Sequence, residues 1–169
     1  MDNYIDIFHQ LWEHSENELV EFKKAENNFD IDELGHYFSA LSNEANLRER
    51  EFAWIVLGVW DKKHEIVGTN FKNGEVALNK LKQDMSQHTT DNLIFREIIP
   101  IEIEGKRVLL FKVPASPRNI VMCWKGIAYG RDGESLKPLN QAKRDTIRQQ
   151  SPLLDWTAQL VPNSVIIRL

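Results

Sequence analysis

Residues 126–135 contain the residue types that bind anions in loops. Three glycines, a tyrosine, an arginine and a serine fall within these ten positions. Glycine allows backbone N–H groups to approach an anion closely, and the guanidinium of Arg131 can bind a phosphate through two N–H groups at once. We therefore predict a phosphate contact in this segment, with Arg131 as its main ligand.

Two earlier segments place carboxylates on or beside strands. Residues 16–23 combine three acids with one lysine, and strand alternation puts Glu21 and Lys23 on the same face. Asp61 follows a nearly continuous apolar run that begins at Phe52. These segments are the acidic candidates for chemistry in the chain.

Several common catalytic and cofactor signatures are absent from the sequence. There is no GxxxxGK[ST] phosphate loop, no GxGxxG dinucleotide fingerprint and no GxSxG nucleophile elbow. The five histidines form neither HxxxH nor HExxH, and the single cysteine argues against a zinc site. These absences argue against nucleotide-cofactor and zinc enzymes, and they favour Cys123 as a packing residue.

Charge is distributed unevenly along the chain, whose formal net charge is −4. Residues 1–51 carry 13 acids and 4 bases, whereas residues 118–150 carry 7 bases and 3 acids. A basic stretch that lines one surface is the electrostatic footprint of nucleic-acid binding. The same residues fit a merely solvated face, and the overall acidic balance favours a protein-interaction or sensory domain without nucleic-acid contact.

The hydrophobic pattern predicts an α+β domain with a mixed, mostly antiparallel sheet and flanking helices. Helical spacing of apolar residues predicts helices over residues 6–14, 30–43, 74–88 and 138–150. Alternating or continuous apolar runs predict a strand at 19–24, hairpins at 52–67 and 94–114, and a last strand pair within 121–131. Pro100 indicates an edge strand or a bulge. The charged residues 44–51 are predicted to form a loop.

The length of 169 residues fits one domain over residues 1–150, followed by a C-terminal tail over residues 151–169. We expect this apolar tail to lead into a further domain of a longer protein. One cysteine excludes an intrachain disulfide, and no signal sequence or long apolar run is present, so we predict a cytoplasmic location without membrane contact. Apolar edge strands allow pairing into a homodimer.

Six short segments, taken in order, resemble the Schlafen AlbA-type (AlbA_2) domain family, which is described as DNA-binding in bacterial regulators. The family shows E-S-x-x-x-E-F-K, an alanine-and-asparagine stretch, G-V-x-D with I-V-G, V-P-x-S-x-x-P and Y-x-R-x-G-x-S. The matching positions are Glu16 with residues 21–23, then residues 40–43, 58–61, 66–68, 113–117 and 129–135. The sequence departs from the family pattern at two places. Residues 44–51 form a charged segment where the family often has a glycine pair, and Trp60 stands where the family often has an acid.

The resemblance implies an N-terminal nucleic-acid-binding domain of a bacterial transcriptional regulator, with DNA or RNA as its partner. The basic binding candidates are Lys23, Lys24, Arg118, Lys125, Arg131, Lys143, Arg144 and Arg148. Trp124, beside Lys125 in a loop-like segment, is the candidate for stacking on a base, whereas Tyr129 is expected in the core.

Some animal members of the family cleave RNA with carboxylates of this motif set, which implies a metal-dependent ribonuclease as a second hypothesis. Carried over by position, its catalytic residues are Glu16, Glu21 and Asp61, because three converging carboxylates can hold Mg²⁺ or Mn²⁺ at a phosphodiester. Trp60 and the acidic front of the chain argue against it. We therefore favour a binding domain that needs no cofactor, with Glu21 in an ion pair with Lys23 or a nearby arginine.

Overall fold

The structure, a computed structural model, describes residues 3–14 and 17–151. In these parts of the chain the helices are α1 Tyr4–Trp12, α2 Ile31–Leu47, α3 Glu75–Ser86 and α4 Gln141–Arg148. The strands are β1 Val20–Lys23, β2 Phe52–Leu57, β3 Val59–Trp60, β4 Glu65–Ile66, β5 Glu97–Ile103, β6 Lys106–Pro114, β7 Cys123–Trp124, β8 Ile127–Asp132 and β9 Ser135–Pro138.

The central sheet has the strand order β1-β2-β6-β5. β1 runs parallel to β2, whereas the β2–β6 and β6–β5 pairs are antiparallel. Strands β5 and β6 form the predicted hairpin, and its turn residues Glu104 and Gly105 have φ angles of 53° and 74°, as a two-residue hairpin turn requires. Pro100 lies on β5 at the sheet edge, where no central ladder bond is lost. The predicted α+β fold with a mostly antiparallel sheet is thus confirmed.

Alternate residues of the central sheet contribute to two separate hydrophobic cores. Ile55 and Phe111 face α2 and α3, whereas Val56 and Leu110 face α1, where they pack with Phe8. Both faces of the central strands are therefore covered by helices, which explains why these strands are almost continuously apolar in sequence.

Helix α2 lies between the central sheet and a second sheet, which has the order β7-β8-β9. Its second half is buried on all sides, so its polar side chains bind backbone groups of the chain that leads into β7. Ser42 donates to the carbonyl oxygen of Pro114 at 2.9 Å, and Asn43 donates to that of Met122 at 2.9 Å. Gly35 leaves room for the indole of Trp124, since a Cβ atom there would lie 2.1 Å from the ring.

Two details of the predicted secondary structure are wrong. Residues 44–51 do not form a loop throughout, because α2 continues to Leu47 and buries Glu44 and Asn46. The hairpin predicted at residues 52–67 is confined to β3 and β4, because Gly58, with φ of 109°, separates β2 from β3 and β2 pairs with β1 and β6 instead. In both cases tertiary partners decide a feature that local polarity does not.

Most of the predicted C-terminal tail, residues 152–169, lies outside the described residues, so the division into a domain and a tail stays a prediction. None of the described helices combines the length and apolarity needed to cross a lipid bilayer.

Candidate nucleic-acid interface

Glu21 and Arg131, predicted as a catalytic acid and a phosphate ligand, bind each other in the interior. Oε1 of Glu21 accepts a hydrogen bond from Nη1 of Arg131 at 2.6 Å, and the two residues are only 3% and 1% exposed. Nη2 of Arg131 donates to the carbonyl oxygens of Asn17 and Val20, at 2.7 and 3.3 Å. Arg131 is therefore placed as an internal cross-link between β8 and the start of β1.

Lys23 lies on the same face of β1 as Glu21, as strand alternation predicts. Its Nζ atom lies 3.5 Å from a carboxylate oxygen of Glu21 and 3.5 Å from one of Glu33. Burial opposes the charge of this ammonium, but a hydrogen bond with Tyr37 and the two carboxylates outweigh burial, so the pKa of Lys23 is raised. Lys23 thus stays charged and neutralises the acids around it.

Glu44 is the second acid of this buried cluster, and it is not among the residues predicted from the sequence to be functional. It is 1% exposed, and its Oε2 accepts hydrogen bonds from Nζ of Lys143 at 2.6 Å and from the backbone N–H of Arg131 at 3.2 Å. Its Oε1 lies 3.6 Å from Nε of Arg48. The i, i+4 spacing of Glu44 and Arg48 is the one sequence pattern that indicates this helical placement.

Of the three carboxylates implied as catalytic, the structure describes Glu21 and Asp61. Glu16 lies outside the described residues, and Asp61 begins a short 3-10 turn after β3. Glu21 is paired with Arg131 and Lys23, so a divalent cation would have to displace both. Within residues 3–14 and 17–151, no three His, Cys, Asp or Glu side chains cluster closely enough to hold a metal ion. The donor set that is described does not fit Mg²⁺ or Mn²⁺.

Two further basic candidates lie apart from this cluster, and each has an acidic partner. Lys125 follows β7, and its Nζ lies 2.8 Å from Oδ1 of Asp32, in the first turn of α2. Lys24 follows β1, and its Nζ lies 3.9 Å from Glu26 and 4.1 Å from the ring centroid of Trp60. The basic residues of the sequence are therefore distributed over more than one face.

The remaining basic candidates gather around α4, near the other end of α2. Asn46, close to the C-terminal end of α2, exchanges hydrogen bonds of 3.0 and 2.7 Å with Gln150, just after α4. The helical rise of 1.5 Å per residue places Asn46 about 21 Å along α2 from Asp32, the partner of Lys125. The α4 region and Lys125 are thus too far apart to contact the same phosphate.

Helix α4 carries three basic residues, of which Arg148 is exposed and Lys143 and Arg144 are half-buried. Lys143 is directed inward by Glu44, whereas Arg144 and Arg148 lie one turn apart, and neither has an ion-pair partner among the residues that the structure describes. Arg118 lies beside the end of this helix, where its Nε donates to the carbonyl oxygen of Ser151 at 2.6 Å. We call Arg118, Arg144 and Arg148 the α4 basic surface.

Trp124 is not available for stacking on a base, contrary to the sequence prediction. It is 1% exposed, packs against Gly35 of α2, and donates from Nε1 to Oδ1 of Asp32 at 3.0 Å. Hydrogen bonds from Lys125 and Trp124 lower the pKa of Asp32. Tyr129 is half-buried at the edge of the core, with its ring centroid 4.4 Å from that of His36, which agrees with the prediction for that residue.

Solved structures of other proteins share this fold. The DIP2311 protein from Corynebacterium diphtheriae has a TM-score of 0.58 and 18% identity, over 79% of this chain and 24% of that one, so this chain spans about a quarter of its length. The N-terminal domain of a RecG-related protein from Nitrosomonas europaea has a TM-score of 0.54 and 18% identity, over 83% of this chain and 94% of that one. At these identities the likeness shows the fold alone.

Sequence comparison defines the family more closely. A search of curated proteins gives no match. Residues 16–140, well over half of the chain, match the family described as Schlafen, AlbA_2. These residues include β1, α2 and β8, the elements that the Glu21–Arg131 pair and Glu44 hold together. The chain therefore belongs to the Schlafen AlbA_2 family.

Proposed function

We propose that this chain is a nucleic-acid-binding module of a bacterial transcriptional regulator, and that the α4 basic surface contacts the phosphates. The observation that carries the proposal is the pair Arg144 and Arg148, which lie one turn apart with no acidic partner in the described part of the chain. Guanidinium groups bind phosphate oxygens through paired N–H donors, and two adjacent arginines match neighbouring phosphates of one strand.

The basic candidates near the buried acids are held by partners within the protein. Arg131 is buried against Glu21, and Lys143 is half-buried against Glu44. Lys125 forms a more exposed ion pair with Asp32. A cation that already neutralises a buried carboxylate gains little from a phosphate, because leaving that carboxylate unpaired costs free energy. Arg118 lies beside α4, where its Nε donates to the carbonyl oxygen of Ser151, and it extends the proposed surface.

The net negative charge of the chain does not oppose this proposal. Several acids of its first third, including Glu21, Asp32 and Glu44, are paired with cations of the same molecule. The field of the unpaired acids is screened over about 8–10 Å at physiological salt. A strand bound at α4 therefore experiences mainly the local arginines.

The geometry favours binding over cleavage. A nuclease carboxylate must be free to bind a metal ion or activate water, but Glu21 has a cation on each of its two oxygens. The Nitrosomonas europaea relative is named as an ATP-dependent DNA helicase RecG-related protein. This name and the family membership support contact with nucleic acid, and neither supplies evidence for cleavage.

The proposal is tested by fluorescence anisotropy with labelled double-stranded DNA and structured RNA over a range of salt concentrations, with and without Mn²⁺. We compare the wild type with Arg144→Glu/Arg148→Glu. The control is Lys80→Glu/Lys82→Glu on α3, which changes the net charge equally but on another helix. Each sample is finally run on a denaturing gel to detect cleavage.

We expect Arg144→Glu/Arg148→Glu to bind more weakly than the wild type. The negative slope of log K against log salt should become less steep by about 2, as the loss of two phosphate contacts requires. The control should keep the wild-type slope. Equal effects of both variants, or no binding of the wild type at low salt, would contradict the proposal and favour a protein-interaction role. Metal-dependent cleavage would instead support the ribonuclease hypothesis.

A further inference from the structure

Trp60 stands apart from the other tryptophans that the structure describes. Trp12 and Trp124 are buried, and Trp54 packs against the core beneath α1. Trp60 is partly exposed and belongs to none of the described hydrophobic clusters. An indole at the surface outside a core is a candidate contact for a partner with a flat apolar face.

Two lysines lie close to the ring of Trp60, and a third is near them in the chain. The Nζ atoms of Lys24 and Lys63 lie 4.1 and 4.7 Å from its ring centroid, and Lys62 is exposed on the same turn. Glu26 approaches Lys24 only at 3.9 Å, and the two side chains are 60% and 42% exposed, so this ion pair is weak. The surface combines an aromatic face with several ammonium groups that can move to another anion.

The turn that carries Trp60, Lys62 and Lys63 is held in place by α1. Strands β3 and β4 pair Trp60 with Glu65, and His64 connects them in the left-handed backbone conformation, with φ of 50°. The imidazole of His64 stacks on the indole of Trp12, with ring centroids 4.1 Å apart and planes 10° apart. This stack fixes the turn before any ligand arrives, which lowers the conformational cost of binding.

The chemistry of this surface selects its ligand. Two ammonium groups beside the indole repel a cationic ligand, so a methylated lysine or a choline group does not fit. A ligand with a flat π face and adjacent negative charges does fit, and a nucleotide of a single strand has both. In a duplex the base faces are covered by their neighbours, whereas an unpaired base can stack on an aromatic side chain with phosphates to either side.

We infer that the turn around Trp60 binds single-stranded nucleic acid: an unpaired base stacks on Trp60, and Lys24, Lys62 and Lys63 contact the flanking phosphates. This inference rests on the proposed nucleic-acid-binding function and adds the class of strand. Cation–π contacts at exposed sites are weak, so an incoming base can displace a lysine from the ring, and the released ammonium then binds a phosphate.

The test compares a labelled single-stranded DNA of about 12 nucleotides with the duplex of the same sequence, using the whole chain. Trp60→Leu removes the aromatic face, and Trp60→Phe keeps a smaller one. Trp54→Phe is the matched control, because Trp54 also has a lysine near its ring, Lys112 at 5.9 Å, but packs on the core. An unlabelled mononucleotide serves as competitor, to separate recognition of a strand from recognition of a free nucleotide.

We expect Trp60→Leu to weaken single-strand binding by about five- to a hundredfold, which corresponds to the loss of one stacked base, and to leave duplex binding unchanged. Trp60→Phe should lose less, and Trp54→Phe should bind as the wild type does. Circular dichroism checks that each variant is folded, and the Phe variant decides the matter if Trp60→Leu unfolds.

Equal loss of single-strand and duplex binding in the Trp60 variants, unchanged single-strand binding, or displacement of the strand by the mononucleotide at similar concentration would overturn the inference. If the α4 variant loses binding while Trp60→Leu does not, the inference fails and the proposed function stands. If the wild type binds neither probe at low salt, both fail together.

Discussion

The carboxylate of Glu21 and the guanidinium of Arg131 lie 2.6 Å apart in the interior, although 110 residues separate them in the chain. Both residues belong to short motifs that the family resemblance marks as functional. Their pairing gives each of them a structural role, since it ties β1 to β8. Loss of activity after substitution of either residue would therefore report on folding as much as on catalysis.

We expect Glu21→Gln to lower the free energy of unfolding by about 3–5 kcal/mol, because it leaves the guanidinium of Arg131 buried without its counterion. Urea denaturation followed by circular dichroism measures this. The double variant Glu21→Leu/Arg131→Met removes both charges. It should therefore be more stable than the summed effects of Glu21→Leu and Arg131→Met, measured singly, predict. Additive single effects, or a loss below about 1 kcal/mol for Glu21→Gln, would show that the pair is not a structural cross-link.

Two neighbouring residues of α4 should separate a structural role from a binding role. Lys143→Met removes the ammonium from buried Glu44 and should lower the free energy of unfolding by about 1–3 kcal/mol, whereas Arg144→Met should change it by less than about 0.5 kcal/mol. The order should reverse for nucleic-acid affinity, where Arg144→Met has the larger effect. Urea denaturation and anisotropy on the same samples provide both comparisons, and the same order in both would refute the distinction.

Gly35 should not tolerate a side chain, although it lies inside a helix where alanine is intrinsically preferred by about 1 kcal/mol. A Cβ atom there would lie 2.1 Å from the indole of Trp124, so we expect Gly35→Ala to lose about 1–3 kcal/mol of stability or more. Gly130→Ala is the control, because its Cβ would lie 2.9 Å from the terminal Cδ1 of Leu139 and 3.3 Å from Oε2 of Glu44. These distances are longer than the one to the indole, so this substitution should cost less. Thermal unfolding of both variants measures the difference, and a stabilised Gly35→Ala protein would disprove the packing of Trp124.

Asp32 should contribute to the loss of stability in acid. Its pKa is lowered by the hydrogen bonds from Lys125 and Trp124, so near and below its unfolded pKa of about 3.9 the unfolded state binds protons more readily than the folded state. The stabilisation is therefore present above that pH and is lost as the pH falls through the folded pKa.

Asp32→Asn should reduce this loss of stability in acid when the free energy of unfolding is measured in urea from about pH 3 to pH 6. Lys125→Gln removes the stronger cause of the lowered pKa, so it should bring the folded pKa of Asp32 closer to the unfolded value and make the loss of stability in acid smaller. Parallel curves for wild type and Asp32→Asn would show that other groups are responsible.

Local sequence patterns predicted the elements whose partners are close in the chain. The hairpin of β5 and β6 follows from alternation, a two-residue turn and the edge position of Pro100, and all of these act within a few residues. Alternation on β1 also placed Glu21 and Lys23 on one face correctly. The ordered set of short motifs was enough to indicate the family.

Tertiary structure alone decided which charged and aromatic residues are available to a ligand. Glu44 lies in the charged segment that predicts a loop, yet it belongs to α2, because Lys143 and the backbone of Arg131 satisfy its carboxylate inside the protein. Trp124 is buried and Trp60 is partly exposed, a difference that no local pattern contains. The local elements and the family of this protein could be predicted from residue types and their spacing. Exposure and pairing depend on contacts between residues some 100 positions apart, such as Glu21 with Arg131, and only the folded chain establishes them.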